Sequence, residues 1–309
     1  MSSPKVVALG GGHGLAATLE ALRSVTNNIT AIVTVADNGG SSGRIRNEFN
    51  TLPPGDLRMA LAALCSDDQW GRSWAKVLQH RFASDGSLNN HALGNLLLTA
   101  LWDQNVDPVA GIAKVGELLR IIGTVLPMAL EPLDIEAVFE IEGSEQAVRG
   151  QVQVATTKGK VKSLKLIPEN PRSTPEVLKA IGEANFLTFG PGSWFSSVMP
   201  HFLINDQVEA ISKSGAKKVV IFNLPEDSNA GEFAGNSAAD HLNLIISHMP
   251  NFQIDYAIAD TKIAKADGAL AKLVNQLGGE LILGEYSLEN GQNHHDITKL
   301  AATFSHILL

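Results

Sequence analysis

A chain of 309 residues, 44% hydrophobic and 18% charged, is long enough to bury a full core and too apolar to be disordered. Its 24 basic and 32 acidic side chains give a formal charge of −8, which argues against a general nucleic-acid binder because that needs a basic face. The one cysteine, Cys65, excludes an internal disulfide and a cysteine-rich zinc site, and it suits a reducing cytoplasm.

The apolar run at residues 6–9 is too short for a secretory signal. No stretch approaches the roughly 18 uninterrupted apolar residues of a membrane span, so a cytoplasmic chain without one is expected. In chain order, residues 5–9 read as a buried strand ended by glycine. Residues 10–14 form a turn, and Leu15, Leu19 and Leu22 recur at helical spacing to about Val25. Residues 29–35 read as a second strand, and 36–43 as a loop. Strand, glycine loop, helix, strand is a βαβ start, which points to a parallel sheet.

Residues 56–119 are mostly helical by pattern. Pro53-Pro54-Gly55-Asp56 opens one helix through Leu64, and others are expected near 70–80, from near His91, and at 108–119. Alternation then marks strands at 135–141, 148–154 and 161–167, a small antiparallel element inserted at about 130–170. After an exit linker at 168–175, helices are expected at 175–182, 237–248 and 296–307. Strands are expected at 186–189, 217–222, 254–259 and 281–283, with loops at 190–197 and 223–236. The expectation is one α/β domain over residues 1–309: a Rossmann-like, mostly parallel sheet flanked by helices.

Three polar, glycine-bearing loops follow expected parallel strands, so all three fall on one edge of the sheet, where such folds bind ligands. Gly10-Gly11-Gly12-His13-Gly14 offers backbone N–H groups at a helix start and favours a phosphate; the alternative is a bare strand-to-helix turn. It is not a dinucleotide fingerprint, since Leu15 stands where the third glycine belongs, nor a Walker loop. In Asp37-Asn38-Gly39-Gly40-Ser41-Ser42-Gly43, Asp37 can accept ribose hydroxyls or hold a cation. Ser41, Ser42 and the amides can hold phosphate, with Arg44 or Arg46 neutralising it; the alternative is an Asx turn with solvated arginines. Gly190, Gly192, Ser193, Ser196 and Ser197 can hold a second phosphate. The G-x-S-x-G elbow fails at Phe195 and Ser196, which rejects a hydrolase serine.

Asp56 and Arg58 either serve this edge or act locally, Asp56 as a cap and Arg58 as a solvated side chain. His91 at a helix start is a phosphate donor, an acid/base group or a capping residue, with Asn95 beside it. Asn223 can read a base or sugar edge. His294 and His295 are expected on the surface. The candidate catalytic groups are Asp37, Asp56 and His91.

Five ordered segments carry a resemblance: residues 10–15, 35–44, 53–58, 91–97 and 189–193. Together they resemble the bacterial gluconeogenesis factor family, which is related to the 2-phospho-L-lactate transferases of deazaflavin coenzyme synthesis, the CofD-like superfamily. The resemblance implies a cytoplasmic protein needed for cell shape and wall synthesis during gluconeogenic growth. It implies binding of UDP-sugars such as UDP-N-acetylglucosamine or of another nucleotide diphosphate, with a homo-oligomer left open. The related branch implies instead a Mg²⁺-dependent transferase moving a phospholactyl group from a nucleotide diphosphate carrier to a deazaflavin alcohol. In that case Asp37 would hold the metal, with Asp56 assisting. The chain departs from the family pattern at His13, at Asn38, which replaces a second Asp, and at residues 224–230. A third reading, an NAD enzyme with Asp37 on the ribose, is disfavoured by the missing glycine.

Overall fold

The computed structural model describes residues 3–104, 106–224, 236–288 and 294–309. Its strands are β1 (Val6–Gly10), β2 (Ile29–Val33), β3 (Thr124–Pro127), β4 (Asp134–Ile141), β5 (Ser144–Arg149), β6 (Lys160–Ile167), β7 (Phe186–Phe189), β8 (Lys217–Ile221), β9 (Tyr256–Asp260) and β10 (Glu280–Gly284). The helices of the first half are α1 (Gly12–Leu22), α2 (Gly40–Phe49), α3 (Pro54–Ala63), α4 (Gln69–Gln79), α5 (Leu93–Asp103) and α6 (Pro108–Leu119). Then come α7 (Gln151–Thr156), α8 (Pro175–Glu183), α9 (Asn205–Lys213), α10 (Ala238–His248), α11 (Thr261–Ala266), α12 (Leu270–Gln276) and α13 (Ile297–Leu308).

Seven strands form one parallel sheet in the order β10-β9-β8-β7-β1-β2-β3. The continuous apolar run of β1 is buried at all five positions, as a strand covered by helices on both faces requires. From β1 the chain steps outward to β2 and β3. It returns at β7 to the other flank of β1, with Val6 opposite Ile29 on one side and Phe186 on the other. The direction of strand order reverses between β1 and β7, and in folds of this kind ligands bind beyond the carboxyl ends of the strands at such a reversal.

The inserted element is an antiparallel sheet, β5-β4-β6. Its inward residues Ile135, Ala137 and Phe139 are buried. Phe139 meets Phe195 edge to face, with ring centres 6.4 Å apart. This contact seats the small sheet against the 190–197 segment.

Several expectations need correction. The strand at 148–154 is two elements: β5 stops at Arg149, Gly150 turns with φ 105°, and α7 follows. Val148, Val152 and Val154 alternate across this break, so the period alone misleads. The loop at 36–43 already contains the start of α2, whose Gly-Ser-Ser-Gly opening conceals a helix. The 190–197 loop tightens into a π-helical turn, Trp194–Val198. The first helix ends at Leu22, and α5 begins at Leu93. The departing stretch at 224–230 lies outside the described residues except for Leu224.

Candidate functional site

The first turn joins β1 to α1, and Gly11 caps that helix with extended backbone and no side-chain hydrogen bond. The third turn lies against it. Thr18 of α1 donates to the Gly190 carbonyl at 3.2 Å, and any side chain at Gly14 would overlap the Pro191 carbonyl. Glycine at 14 is therefore what lets the two turns touch. Asn223, just past β8, clamps the third turn. Its Oδ1 accepts from the Gly192 N–H and its Nδ2 donates to the Gly192 carbonyl, both at 2.7 Å. Ser193 accepts from the Ser196 N–H at 3.2 Å and also from the Ser196 hydroxyl.

The second turn follows β2. Asp37 accepts from the Gly39 N–H at 2.8 Å, an Asx turn, and Gly39 opens α2 without a side-chain cap. Oδ2 of Asp37 lies 3.0 Å from where a Cβ on Gly55 would stand, so this carboxylate reaches the start of α3. Asp56, one residue on, accepts from the Gly12 N–H of α1. Burial raises its pKa from 3.8 to about 7; the neighbouring Asp37 charge adds to the rise, while Gly12 and Arg58 oppose it. Asp56 thus ties α3 to the glycine turn rather than capping its own helix.

Arg58 is buried, not solvated, at 3% exposure. Its Nε donates to Asn95 Oδ1 at 2.9 Å, while Nη1 finds no partner. Burial, then the nearby Arg81, lower its pKa to about 10. The charges of Asp56 and Asp37 oppose this and offset part of the cost of burying a guanidinium under the rim. Asn95 Nδ2 donates to Ser41 Oγ at 3.0 Å, and Ser41 Oγ lies 2.9 Å from His91 Nδ1. His13 stands at the rim with its ring centre 6.1 Å from that of exposed His294. Burial first, then His294, Arg58 and Arg81, hold its pKa below the usual histidine value.

Other expected residues are engaged elsewhere. Arg44 donates to the carbonyls of Ser87 and Asn89, and Arg46 to Leu133 and Asp134. Asn38 binds α7: its Oδ1 accepts from the Val152 N–H and its Nδ2 donates to Gln153, both at 3.1 Å. His295 is half-buried rather than at the surface, with Nε2 3.2 Å from the Phe222 carbonyl. Among the described residues, no group of three or more His, Cys, Asp or Glu side chains is placed to hold a metal ion. Asp37 and Asp56 make a pair of carboxylates, a donor set that fits a hard cation whose shell is completed by ligand phosphates.

Residues 6–277 match the family model described as 2-phospho-L-lactate transferase CofD. A protein of Mycobacterium tuberculosis (strain ATCC 25618 / H37Rv) named "Putative gluconeogenesis factor" is 43% identical over 306 residues, covering 96% of this chain and 88% of that protein. The "Gluconeogenesis factor" of Listeria innocua serovar 6a is 35% identical over 311 residues, covering 97% and 94%. The chain belongs to the gluconeogenesis factor family within the CofD-like group. A crystal structure of a UPF0052 family member from Bacillus halodurans superposes with a TM-score of 0.85 at 33% identity, over 98% of this chain and 99% of that one.

The family match spans all three turns and the inserted sheet. Sequence reasoning missed Arg81. An isolated antiparallel bridge between Arg81 and Ala92 brings it beside His91, and its charge lowers the pKa values of His13, Arg58 and His91. No sequence spacing marks it, because the bridge closes a loop between α4 and α5. Among the described residues, no helix is long and apolar enough to cross a membrane.

Proposed function

We propose that this chain is a cytoplasmic regulatory protein that binds a UDP-sugar, and that cells need it for shape and wall synthesis during gluconeogenic growth. The diphosphate lies over Gly10, Gly11, Gly12, His13 and Gly14 and against the third turn at Gly192 and Ser193, with Arg58 supplying positive charge from beneath. One observation carries this reading: glycine turns from neighbouring strands meet at the reversal between β1 and β7, and the N-cap glycines of α1 and α2 put no side chain of their own there. Asn223 acts by fixing the Gly192 backbone through its N–H and its carbonyl. Calorimetry with millimolar UDP-N-acetylglucosamine and UDP-glucose tests it. Saturable heat is expected with at least one of them, and no heat with either overturns it.

The Asp37–Asp56 pair favours a second reading, a phospholactyl-type transferase. Mg²⁺ held by these two carboxylates would neutralise charge on the diphosphate. The chain's own part is to bind the carrier, place its leaving phosphate on the glycine amides and hold the acceptor alcohol at the same rim. Incubation with a nucleotide diphosphate carrier, a deazaflavin alcohol and Mg²⁺ should give a phosphate-bearing product. Its absence removes this reading.

A further inference from the structure

The hydrogen bonds beneath the second turn have a single direction. Arg58 can only donate, so its bond to Asn95 fixes Oδ1 as the acceptor and leaves Nδ2 to donate to Ser41. Ser41 Oγ then accepts twice, from Asn95 Nδ2 at 3.0 Å and more weakly from the Ala92 N–H at 3.4 Å. Both lone pairs of the hydroxyl are taken, and the one remaining direction is its own O–H. That proton faces His91 Nδ1 at 2.9 Å.

We propose that the chain Arg58, Asn95, Ser41 holds His91 as a neutral imidazole with a bare Nδ1 and its proton on Nε2, so that Nε2–H serves as a hydrogen-bond donor to an oxygen of the bound nucleotide sugar. The ligand part rests on the UDP-sugar reading above; the tautomer part does not. An imidazolium would set N–H against O–H and force Ser41 to turn from its partners. The surroundings act the same way: burial, Arg44 and Arg81 all disfavour a charged ring, against Glu48 alone. Ser41, Asn95 and His91 are all buried, at 5%, 1% and 7% exposure; Ser41 and Asn95 act as positioning residues, and the proposal gives the ligand contact to His91 Nε2. A donor of fixed direction and no charge selects a ligand oxygen by geometry, where an arginine would attract any anion.

Nitrogen-15 NMR of the ring in the intact protein reads the tautomer without ligand. The expected result between pH 6.5 and 8 is protonated Nε2 and bare Nδ1. A ring protonated on Nδ1, or on both nitrogens, at pH 7.5 overturns the proposal. In Asn95→Asp the carboxylate still accepts from Arg58 but cannot donate, so Ser41 turns its proton toward it and His91 should move to the Nδ1–H form. An unchanged ring in a folded Asn95→Asp protein counts against the relay. For the ligand part, His91→Gln keeps a donor near the Nε2 position and His91→Asn does not. UDP-N-acetylglucosamine should bind His91→Gln about tenfold more tightly than His91→Asn. Equal affinity of the two folded variants overturns the donor role. If the unaltered protein binds no UDP-sugar at all, the functional reading fails, and the tautomer measurement alone decides the relay.

Discussion

After β1 and β2, helices begin at the N-cap glycines Gly11 and Gly39, which have no side chain of their own to cap them. In the β8–β10 half of the same sheet, α10, α11 and α13 are each capped by a side chain. Asp260, at the end of β9, accepts from the Lys262 and Tyr286 N–H groups at 2.9 Å each. Ser237 and Asp240 make a capping box on α10, and Asp296 accepts from Thr298 and Lys299 at the start of α13. A helix start leaves several N–H groups in need of acceptors. At α10, α11 and α13 the N-cap side chains supply them. At α1, the acceptor at Gly12 comes from a neighbouring helix, through Asp56. Topology brings the turns to one rim, and the residues decide which helix starts are capped by their own side chains.

The largest effect expected from breaking this arrangement is Gly14→Ala. Its methyl group would overlap the Pro191 carbonyl, so the first and third turns must separate. Urea denaturation should show a loss of about 3 kcal/mol, and UDP-sugar heat should vanish. Unchanged stability would mean that the turns do not pack as described. Asp260→Ala strips the cap from α11 in the β8–β10 half. Two N–H groups lose a buried acceptor, for a loss of about 2 kcal/mol. If uncapping alone made an anion site, this variant would gain affinity for pyrophosphate; no gain is expected.

Asp56 is the charge that distinguishes the β1–β2 half. Its folded pKa of about 7 lies above its ordinary value of 3.8, so between these pH values the native state keeps a proton that the unfolded chain has lost. Stability therefore falls as pH rises through this window, and the full penalty applies above pH 7. Asp56→Asn should be stabilised relative to the parent by about 1–2 kcal/mol at pH 8, after discounting for partial solvent exposure, and by little at pH 4. Urea midpoints at the two pH values check this, and an equal difference at both would remove the electrostatic account.

The sheet was legible because its strands are short apolar runs ended by glycine or by polar turns, such as residues 6–10 and 186–189. The rim was legible because the parallel βαβ order forces such loops to one end. Partners were not. Nothing local says that Arg58 turns inward to Asn95 while Arg44 is taken by the carbonyls of Ser87 and Asn89. Both are arginines near a glycine loop, and only the packing of α3 against α5 separates them. Arg81 escaped for the same reason: a single long-range bridge places it. Helix α7 was hidden because the valine spacing of β5 continues across Gly150 into the helix.

The smallest expected effect bears on how the inserted sheet joins the β1–β2 half. Asn38 bonds twice to α7, and Gln151 of α7 lies within 3.4 Å of Ser196 Oγ in the third turn. The helix therefore touches both the second and third turns, while β5 beside it is largely exposed. Asn38→Ala removes two part-exposed hydrogen bonds and should cost about 1 kcal/mol. Because α7 is only six residues long and its N-cap Gly150 makes no side-chain bond, it has little helical stability of its own. Local opening should then exceed global loss: hydrogen exchange at residues 151–156 should speed up while β1 and β2 stay protected. Uniform exchange across both regions would mean that Asn38 supports the whole fold and not the strap between its two sheets.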